Sequence, residues 1–192
     1  MIYLDTNILI SLHVFDSTAA AAETWIAQQS APLAMSTWSI AEFRGNVALR
    51  ARKKEILPHI AARILEEFDT KFSAEMITLA VTDSAHWRAA NWLREPACTL
   101  QAGDALHLAI ALENDAAAIA TFDQRFARNI EKLRIAGLKV IALPNEDGLH
   151  KIQQKLAAYN VTERDIAKAV KWARKRRMAE KERAPMLRVR GQ

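Results

Sequence analysis

The chain is poor in cysteine and has no long apolar segment. Cys98 is the single cysteine among 192 residues, which excludes an intrachain disulfide and a zinc site built from several cysteines. No apolar run approaches the roughly 18 residues that a membrane-spanning helix needs. The N-terminus has no basic segment and Asp5 interrupts its apolar stretch, so we expect no signal peptide. These absences predict a cytoplasmic protein without membrane contact.

The sequence patterns of several enzyme classes are also missing. There is no glycine-rich phosphate loop and no nucleophile elbow. The five histidines are scattered, with no two at the spacing of metal ligands. Only His107, one helical turn after Asp104, lies near a candidate site, and we interpret it as a packed or hydrogen-bonded helix residue rather than a general base.

Charge is unevenly distributed along the chain. The net charge is +5, but residues 150–192 hold 13 Lys and Arg against 4 Asp and Glu, a net charge of +9. Residues 1–149 hold 14 basic and 18 acidic residues, a net charge of −4. A basic segment of this kind often contacts phosphate or an acidic partner, although a solvated helix explains it equally well.

Short apolar segments alternate with helical patterns over residues 1–143. The first segment, Ile2–Leu4, has no polar alternation, which is typical of a strand buried on both faces of a parallel sheet. We predict strands at 2–4, 33–35, 76–81, 117–120 and 139–143, and helices at 18–29, 38–54, 56–72, 84–94, 105–113 and 124–134. The fold class is therefore α/β, a three-layer α/β/α domain with a mainly parallel sheet. Residues 144–148 are predicted to be a linker, and residues 149–192 a basic helical tail.

Four carboxylates follow predicted strands or lie in the helices that begin there: Asp5, Glu42, Asp104 and Asp123. Because the carboxyl ends of parallel strands meet at one edge, we expect these acids to converge. Two like charges about 5 Å apart repel by roughly 3 kcal/mol at an effective dielectric of 20. Divalent cations relieve such repulsion, and Mg²⁺ prefers oxygen ligands. The pattern thus predicts a metal site suited to phosphodiester hydrolysis.

Each acid also has a structural explanation. Ser39 and Glu42 have the spacing of a capping box, and Asp104 and Asp123 each stand where a helix N-cap is expected. Asp5 lacks such an explanation, because a carboxylate at the end of a buried strand has no routine structural role. The joint pattern of all four favours the metal site.

Four segments resemble the PIN-domain ribonucleases, and among them the VapC toxins of bacterial toxin–antitoxin pairs. They are LDTNIL at 4–9, STWSIAEF at 36–43, AGDALHLA at 102–109 and ATFDQRF at 120–126. The resemblance implies a PIN-like fold in which Asp5, Glu42, Asp104 and Asp123 bind Mg²⁺ or Mn²⁺, with Thr6, Asn7 and Thr121 orienting them. It also implies endonucleolytic hydrolysis of RNA, such as tRNA or ribosomal RNA, a cognate antitoxin and a homodimer.

The tail departs from this resemblance, because these toxins usually end near the last strand. Three roles remain open for residues 149–192: an arm that binds RNA, a cover over the acidic pocket, or an extension of a dimer or partner interface. A phosphatase with Asp5 as nucleophile fits poorly, since such enzymes need a second aspartate where Asn7 stands. The remaining rival is a non-catalytic RNA- or partner-binding protein with an inert acidic pocket.

Overall fold

A computed structural model describes residues 1–14, 18–96 and 98–144, apart from the side chains of 71–73. The strands are β1 (Ile2–Leu4), β2 (Leu33–Ser36), β3 (Ile77–Leu79), β4 (Ala118–Thr121) and β5 (Lys139–Ala142). The helices are α1 (Thr6–His13), α2 (Ala19–Ala27), α3 (Thr37–Arg52), α4 (Pro58–Glu67), α5 (Ser73–Glu75), α6 (Asp83–Leu93), α7 (Ala102–Glu113) and α8 (Gln124–Leu133). A π-helical turn, Phe68–Phe72, joins α4 to α5. No helix within these ranges is long and apolar enough to cross a membrane.

The described strands form one sheet in the order β3-β2-β1-β4-β5, and every neighbouring pair is parallel. The chain runs from β1 outward to β2 and β3 and then crosses back to β4 on the opposite side of β1. A reversal of this kind leaves a crevice beyond the carboxyl ends of β1 and β4, which is where α/β sheets bind ligands. The topology therefore predicts that a functional site lies at the carboxyl edge of the sheet, beside β1 and β4.

Residues of each strand alternate between two apolar cores. Ile2, Leu4 and Met35 point into a core shared with α1–α4, while Tyr3 and Ile119 point into one shared with α6–α8. Helices thus cover both faces of the sheet, which explains why β1 has no polar position. The predicted three-layer α/β/α fold with a parallel sheet is confirmed.

The predicted elements need two corrections, one for a helix that was missed and one for a helix that was too long. The segment after Asp5 forms α1, although no helix was predicted there. The single helix predicted over 56–72 is wrong, because α4 ends at Glu67 and the chain continues as a π-helical turn. The linker predicted at 144–148 and the tail predicted at 149–192 lie outside the described residues, except for Pro144.

Candidate acidic active site

The four predicted acids all stand at the carboxyl edge of the sheet. Asp5 directly follows β1 and is the N-cap of α1, while Glu42 lies in α3, which starts immediately after β2. Asp104 is in the first turn of α7, and Asp123 follows β4 by two residues and caps α8. The four lie near one another, because the charge of Glu42 acts on the pKa of Asp5, and the charges of Asp5 and Asp123 act on the pKa of Asp104. We call these four residues the acidic cluster.

Asp5 is buried, and its Oδ2 atom accepts two hydrogen bonds. Thr121 Oγ1 donates at 2.6 Å and Asn7 Nδ2 donates at 2.6 Å. Asn7 also bonds Thr121 Oγ1 and accepts from the backbone of Phe122, so α1 and the end of β4 are joined beneath the carboxylate. Burial raises the pKa of Asp5, and the charge of Glu42 raises it further, against the opposing effects of His107 and the Thr121 bond. Its ionised form is therefore costly as it stands.

Glu42 is held in place by side chains of α1 and α7. Its Oε2 atom accepts from Thr6 Oγ1 at 2.6 Å and lies 2.8 Å from His107 Nε2. Burial would raise the pKa of Glu42, but the hydrogen bond and charge of His107, together with Thr6, outweigh it and lower the pKa. The capping box considered for Ser39 and Glu42 does not form, because Ser39 instead exchanges side-chain-to-backbone bonds with Ser36.

Asp104 carries a raised pKa for a different set of reasons. Burial is the main cause, and the negative charges of Asp5 and Asp123 add to it, against a bond from the Gln101 backbone. That bond is long, 3.4 Å from Gln101 N to Asp104 Oδ2, so it caps α7 only weakly. The ionised carboxylate is consequently destabilised by burial and, to a smaller extent, by its acidic neighbours, and its helix stabilises it only weakly.

Asp123 does serve as a helix cap. Its Oδ1 atom accepts from the backbone N–H groups of Arg125 at 2.7 Å and Phe126 at 3.0 Å. This leaves Oδ2 for other partners; the Arg125 guanidinium is 4.0 Å from it. Capping and a site role are compatible, since the helix dipole favours the ionised carboxylate.

Sequence reasoning placed His107 near the site as a packed or hydrogen-bonded helix residue, which the structure confirms, but it did not predict that the partners are Tyr3 and Glu42. His107 is 2% exposed, and its Nδ1 atom lies 2.7 Å from the Tyr3 hydroxyl. Its Nε2 atom is 2.8 Å from Glu42 and 3.7 Å from Asp5 Oδ1. One signal was available, because a histidine in a helix apolar on nearly every face must be buried and must find partners. Its partner Tyr3 is 104 residues away in the sequence, so no local pattern predicts this contact.

The donor chemistry of the site fits a hard divalent cation. Two of its carboxylates have raised pKa values caused partly by neighbouring negative charge, and a cation would relieve both. Oxygen ligands of this kind suit Mg²⁺ or Mn²⁺. In the arrangement described for 1–14, 18–96 and 98–144, however, no three Asp, Glu, His or Cys side chains already enclose an ion position. An ion held by one or two of these carboxylates would complete its coordination with water.

A groove of about 540 Å³ opens beside Asp123 between α1, α3 and α8. Two guanidinium groups stand on it: Arg50, whose Nε bonds Asn46 Oδ1 at 2.9 Å, and Arg125. Its lining residues are Asn7, Ile10, Ser11, Thr18, Asn46, Arg50, Phe122, Asp123, Gln124 and Arg125. Cationic groups next to a carboxylate cluster can hold a polyanion whose backbone reaches the acids.

Comparison with known proteins identifies a family for this chain. A family model described as "PIN domain" matches residues 2–132, more than half of the chain. Every residue of the acidic cluster falls inside that match. A search of curated proteins found no match.

Several solved structures share the fold at low sequence identity. VapC20 of Mycobacterium tuberculosis, described as a sarcin-ricin loop cleaving toxin, is 21% identical with a TM-score of 0.54, over 67% of this chain and 94% of its own. FitAcB from Neisseria gonorrhoeae is 17% identical with a TM-score of 0.56, over 73% of this chain and 96% of its own. A toxin–antitoxin complex from Klebsiella pneumoniae is 18% identical with a TM-score of 0.50, over 72% of this chain and 95% of its own.

Proposed function

The chain belongs to the PIN domain family, and from this premise we propose that it is an endoribonuclease dependent on Mg²⁺ or Mn²⁺. The observation that carries the proposal is the meeting of four acids from distant parts of the chain at the switch point of a parallel sheet. Mutual repulsion contributes to the raised pKa values of two of them, so the site is electrostatically prepared for a cation.

Asp5, Glu42, Asp104 and Asp123 would hold the cation. The ion would supply an activated water and would neutralise charge developing on the scissile phosphate. Thr121 and Asn7 donate to Oδ2 of Asp5, and Thr6 donates to Oε2 of Glu42. These donors restrict the rotation of the carboxylates, which is the usual role of groups that surround metal ligands.

The substrate is proposed to be RNA lying along the groove beside Asp123. Arg50 is already oriented by Asn46, so binding a phosphate costs it little side-chain entropy. Arg125 stands next to Asp123, where a phosphate entering the acidic cluster would pass. Both arginines offset the repulsion between an acidic site and a polyanion.

We further propose that the protein is the toxin of a toxin–antitoxin pair, acting in the cytoplasm as a homodimer inhibited by its antitoxin. Support comes from its structural neighbours, one a toxin that cleaves the sarcin-ricin loop and another a toxin–antitoxin complex. By the same likeness, ribosomal RNA or tRNA is the proposed target.

The decisive experiment incubates purified protein with total RNA, with Mg²⁺, Mn²⁺ or EDTA, and maps new RNA ends by sequencing. We expect specific ends with either metal and none with EDTA or with Asp5→Asn. Equal cleavage by Asp5→Asn would assign the activity to other residues or to a contaminant. Tight RNA binding without cleavage in any metal would favour the non-catalytic binding protein instead.

A further inference from the structure

A continuous row of buried polar side chains leads from the start of α3 to Glu42. Tyr3 Oη lies 2.8 Å from Ser36 Oγ and 2.7 Å from His107 Nδ1, and His107 Nε2 lies 2.8 Å from Glu42 Oε2. Ser36, Ser39 and Tyr3 are fully inaccessible to solvent. Because water does not reach these atoms, their hydrogens must be ordered among themselves.

The direction of the row follows from its charged end. A carboxylate only accepts hydrogen bonds, so His107 Nε2 must carry the hydrogen that points to Glu42. In a neutral imidazole, Nδ1 then has no hydrogen and must accept one, which the Tyr3 hydroxyl supplies. Tyr3 in turn accepts from Ser36, whose own oxygen accepts the Ser39 backbone N–H at 3.1 Å. Every atom of the row is satisfied in this one direction.

Tyr3 is well suited to remain the donor. Burial raises the pKa of its phenol far above the usual range, with the charges of Asp5 and Glu42 adding to that effect against the hydrogen bonds from Ser36 and Ser39. In its neutral form, His107 therefore lies between a hydroxyl that can donate to Nδ1 and a carboxylate that can only accept from Nε2.

We propose that His107 is a positioning residue for the acidic cluster, held by Tyr3 in the tautomer that donates from Nε2 to Glu42. This inference builds on the proposed nuclease function, since the contacts to Oε2 restrict the rotation of a carboxylate that is a candidate metal ligand. Tyr3 and His107 thereby connect the packing beneath the sheet edge to the orientation of a candidate ligand. Tyr3 and His107 are 104 residues apart in the sequence, and His107 and Glu42 are 65 residues apart.

The first test measures the tautomer directly. ¹⁵N NMR of histidine-labelled protein at alkaline pH, without metal, should show His107 as the single Nε2–H tautomer. In Tyr3→Phe, which keeps the ring but removes the hydroxyl, only Glu42 still favours that tautomer, so the Nε2–H population should fall measurably below that of wild type. A wild-type signal for the Nδ1–H tautomer, or a Tyr3→Phe spectrum identical to wild type, would overturn the proposal.

The second test measures ion binding by Mn²⁺ titration without RNA. Removal of a group that orients a ligand typically weakens metal affinity about 10-fold or more, which we expect for Tyr3→Phe and His107→Leu. His107→Gln should recover part of the affinity, because its amide can still donate to Glu42. The matched controls are Thr99→Val, which removes a hydroxyl bonded to Asn129, and His86→Gln on α6; both should titrate as wild type.

These results separate the inference from the nuclease assignment. Altered tautomer and affinity in a protein that cuts no RNA would retain the positioning role and reject the enzyme. Variants that unfold more easily yet bind Mn²⁺ as wild type would show that Tyr3 and His107 serve stability alone. If wild type itself takes up no Mn²⁺, the tautomer result decides.

Discussion

Asp5 illustrates how a single residue can be kept at a cost in stability. The residue is 8% exposed and its carboxylate accepts from Thr121 and Asn7, yet burial still raises its pKa. Because the folded state holds the Asp5 proton more tightly than the unfolded state does, ionisation opposes folding. Functional sites often retain a destabilising group of this kind.

The stability of Asp5→Asn should therefore depend on pH. At neutral pH without divalent ions, we expect the variant to be more stable by roughly 1 kcal/mol, since an amide oxygen still accepts from Thr121 and Asn7. Below the ordinary range for aspartate the carboxyl is protonated in the folded and the unfolded state, so the difference should vanish; it should grow as pH rises through the raised pKa. Chemical denaturation across pH measures it.

Two controls accompany that series. Glu95→Gln neutralises an exposed carboxylate and should leave stability nearly unchanged at every pH. Added Mg²⁺ should stabilise wild type but not Asp5→Asn. The difference in stability between the two should therefore shrink or change sign. A destabilised Asp5→Asn at neutral pH would contradict the charge argument.

Gly103 is the second residue with a specific structural requirement. A Cβ at this position would lie 3.2 Å from Glu42 Oε1, closer than side chains normally approach. Gly103→Ala should gain up to about 1 kcal/mol from helix propensity in α7 yet displace the Glu42 carboxylate. We expect stability at or above wild type with weaker Mn²⁺ binding and slower RNA cleavage.

The comparison for Gly103 is Gly45→Ala in α3. Nothing lies within 4 Å of a Cβ there, so the variant should gain helix stability and keep wild-type Mn²⁺ affinity. If both alanine variants titrate alike, contact with Glu42 does not limit the site.

At the scale of elements, α8 shows one carboxylate serving its helix and the site. Asp123 caps α8 through Oδ1. Asp123→Asn should keep the cap, with a free energy of unfolding within about 0.5 kcal/mol of wild type. Asp123→Ala should lower the free energy of unfolding by about 1 kcal/mol. Both variants should lose Mn²⁺ affinity to a similar extent. If RNA cleavage is lost only in the less stable variant, Asp123→Ala, then Asp123 acts only as a helix cap.

The strands and the acids were predictable because both depend on local signals. Unbroken apolar segments identified β1 and β4, and each acid follows a strand or lies in the first two turns of a helix. Helix α1 was missed because Ile8, Leu9 and Ile10 form an apolar run without helical periodicity, since α1 is covered on several sides. The π-helical turn after Glu67 was missed because the apolar spacing of α4 continues through Phe68. The link between Tyr3 and His107 exists only once the chain has folded.

At the scale of the whole molecule, an acidic body must bind a polyanion. Arg50 is half-buried on the groove, while Arg52, in the last turn of the same helix, is exposed and does not line it. In an Asp5→Asn background that binds without cutting, Arg50→Gln should weaken RNA binding and reduce the salt slope by about 1. Arg52→Gln should change neither by much. Equal effects of the two would indicate that only overall charge matters.

The basic tail bears on the same problem of charge. Residues 1–149 carry a net charge of −4 and residues 150–192 a net charge of +9, so deletion of 150–192 leaves a body that repels RNA. We expect weaker binding and a salt slope reduced by about 0.7 for each phosphate of single-stranded RNA that the tail neutralises. Filter binding at several salt concentrations measures both quantities.

The same deletion distinguishes the three roles proposed for the tail. An RNA arm predicts lower affinity and slope at unchanged oligomeric mass, whereas an interface extension predicts a smaller mass by light scattering. A cover over the acidic cluster predicts faster cleavage once the tail is gone. We favour the RNA arm, because RNA is the polyanion that the proposed function brings to an acidic body. A truncated protein with unaltered RNA affinity, salt slope, cleavage rate and mass would reject all three.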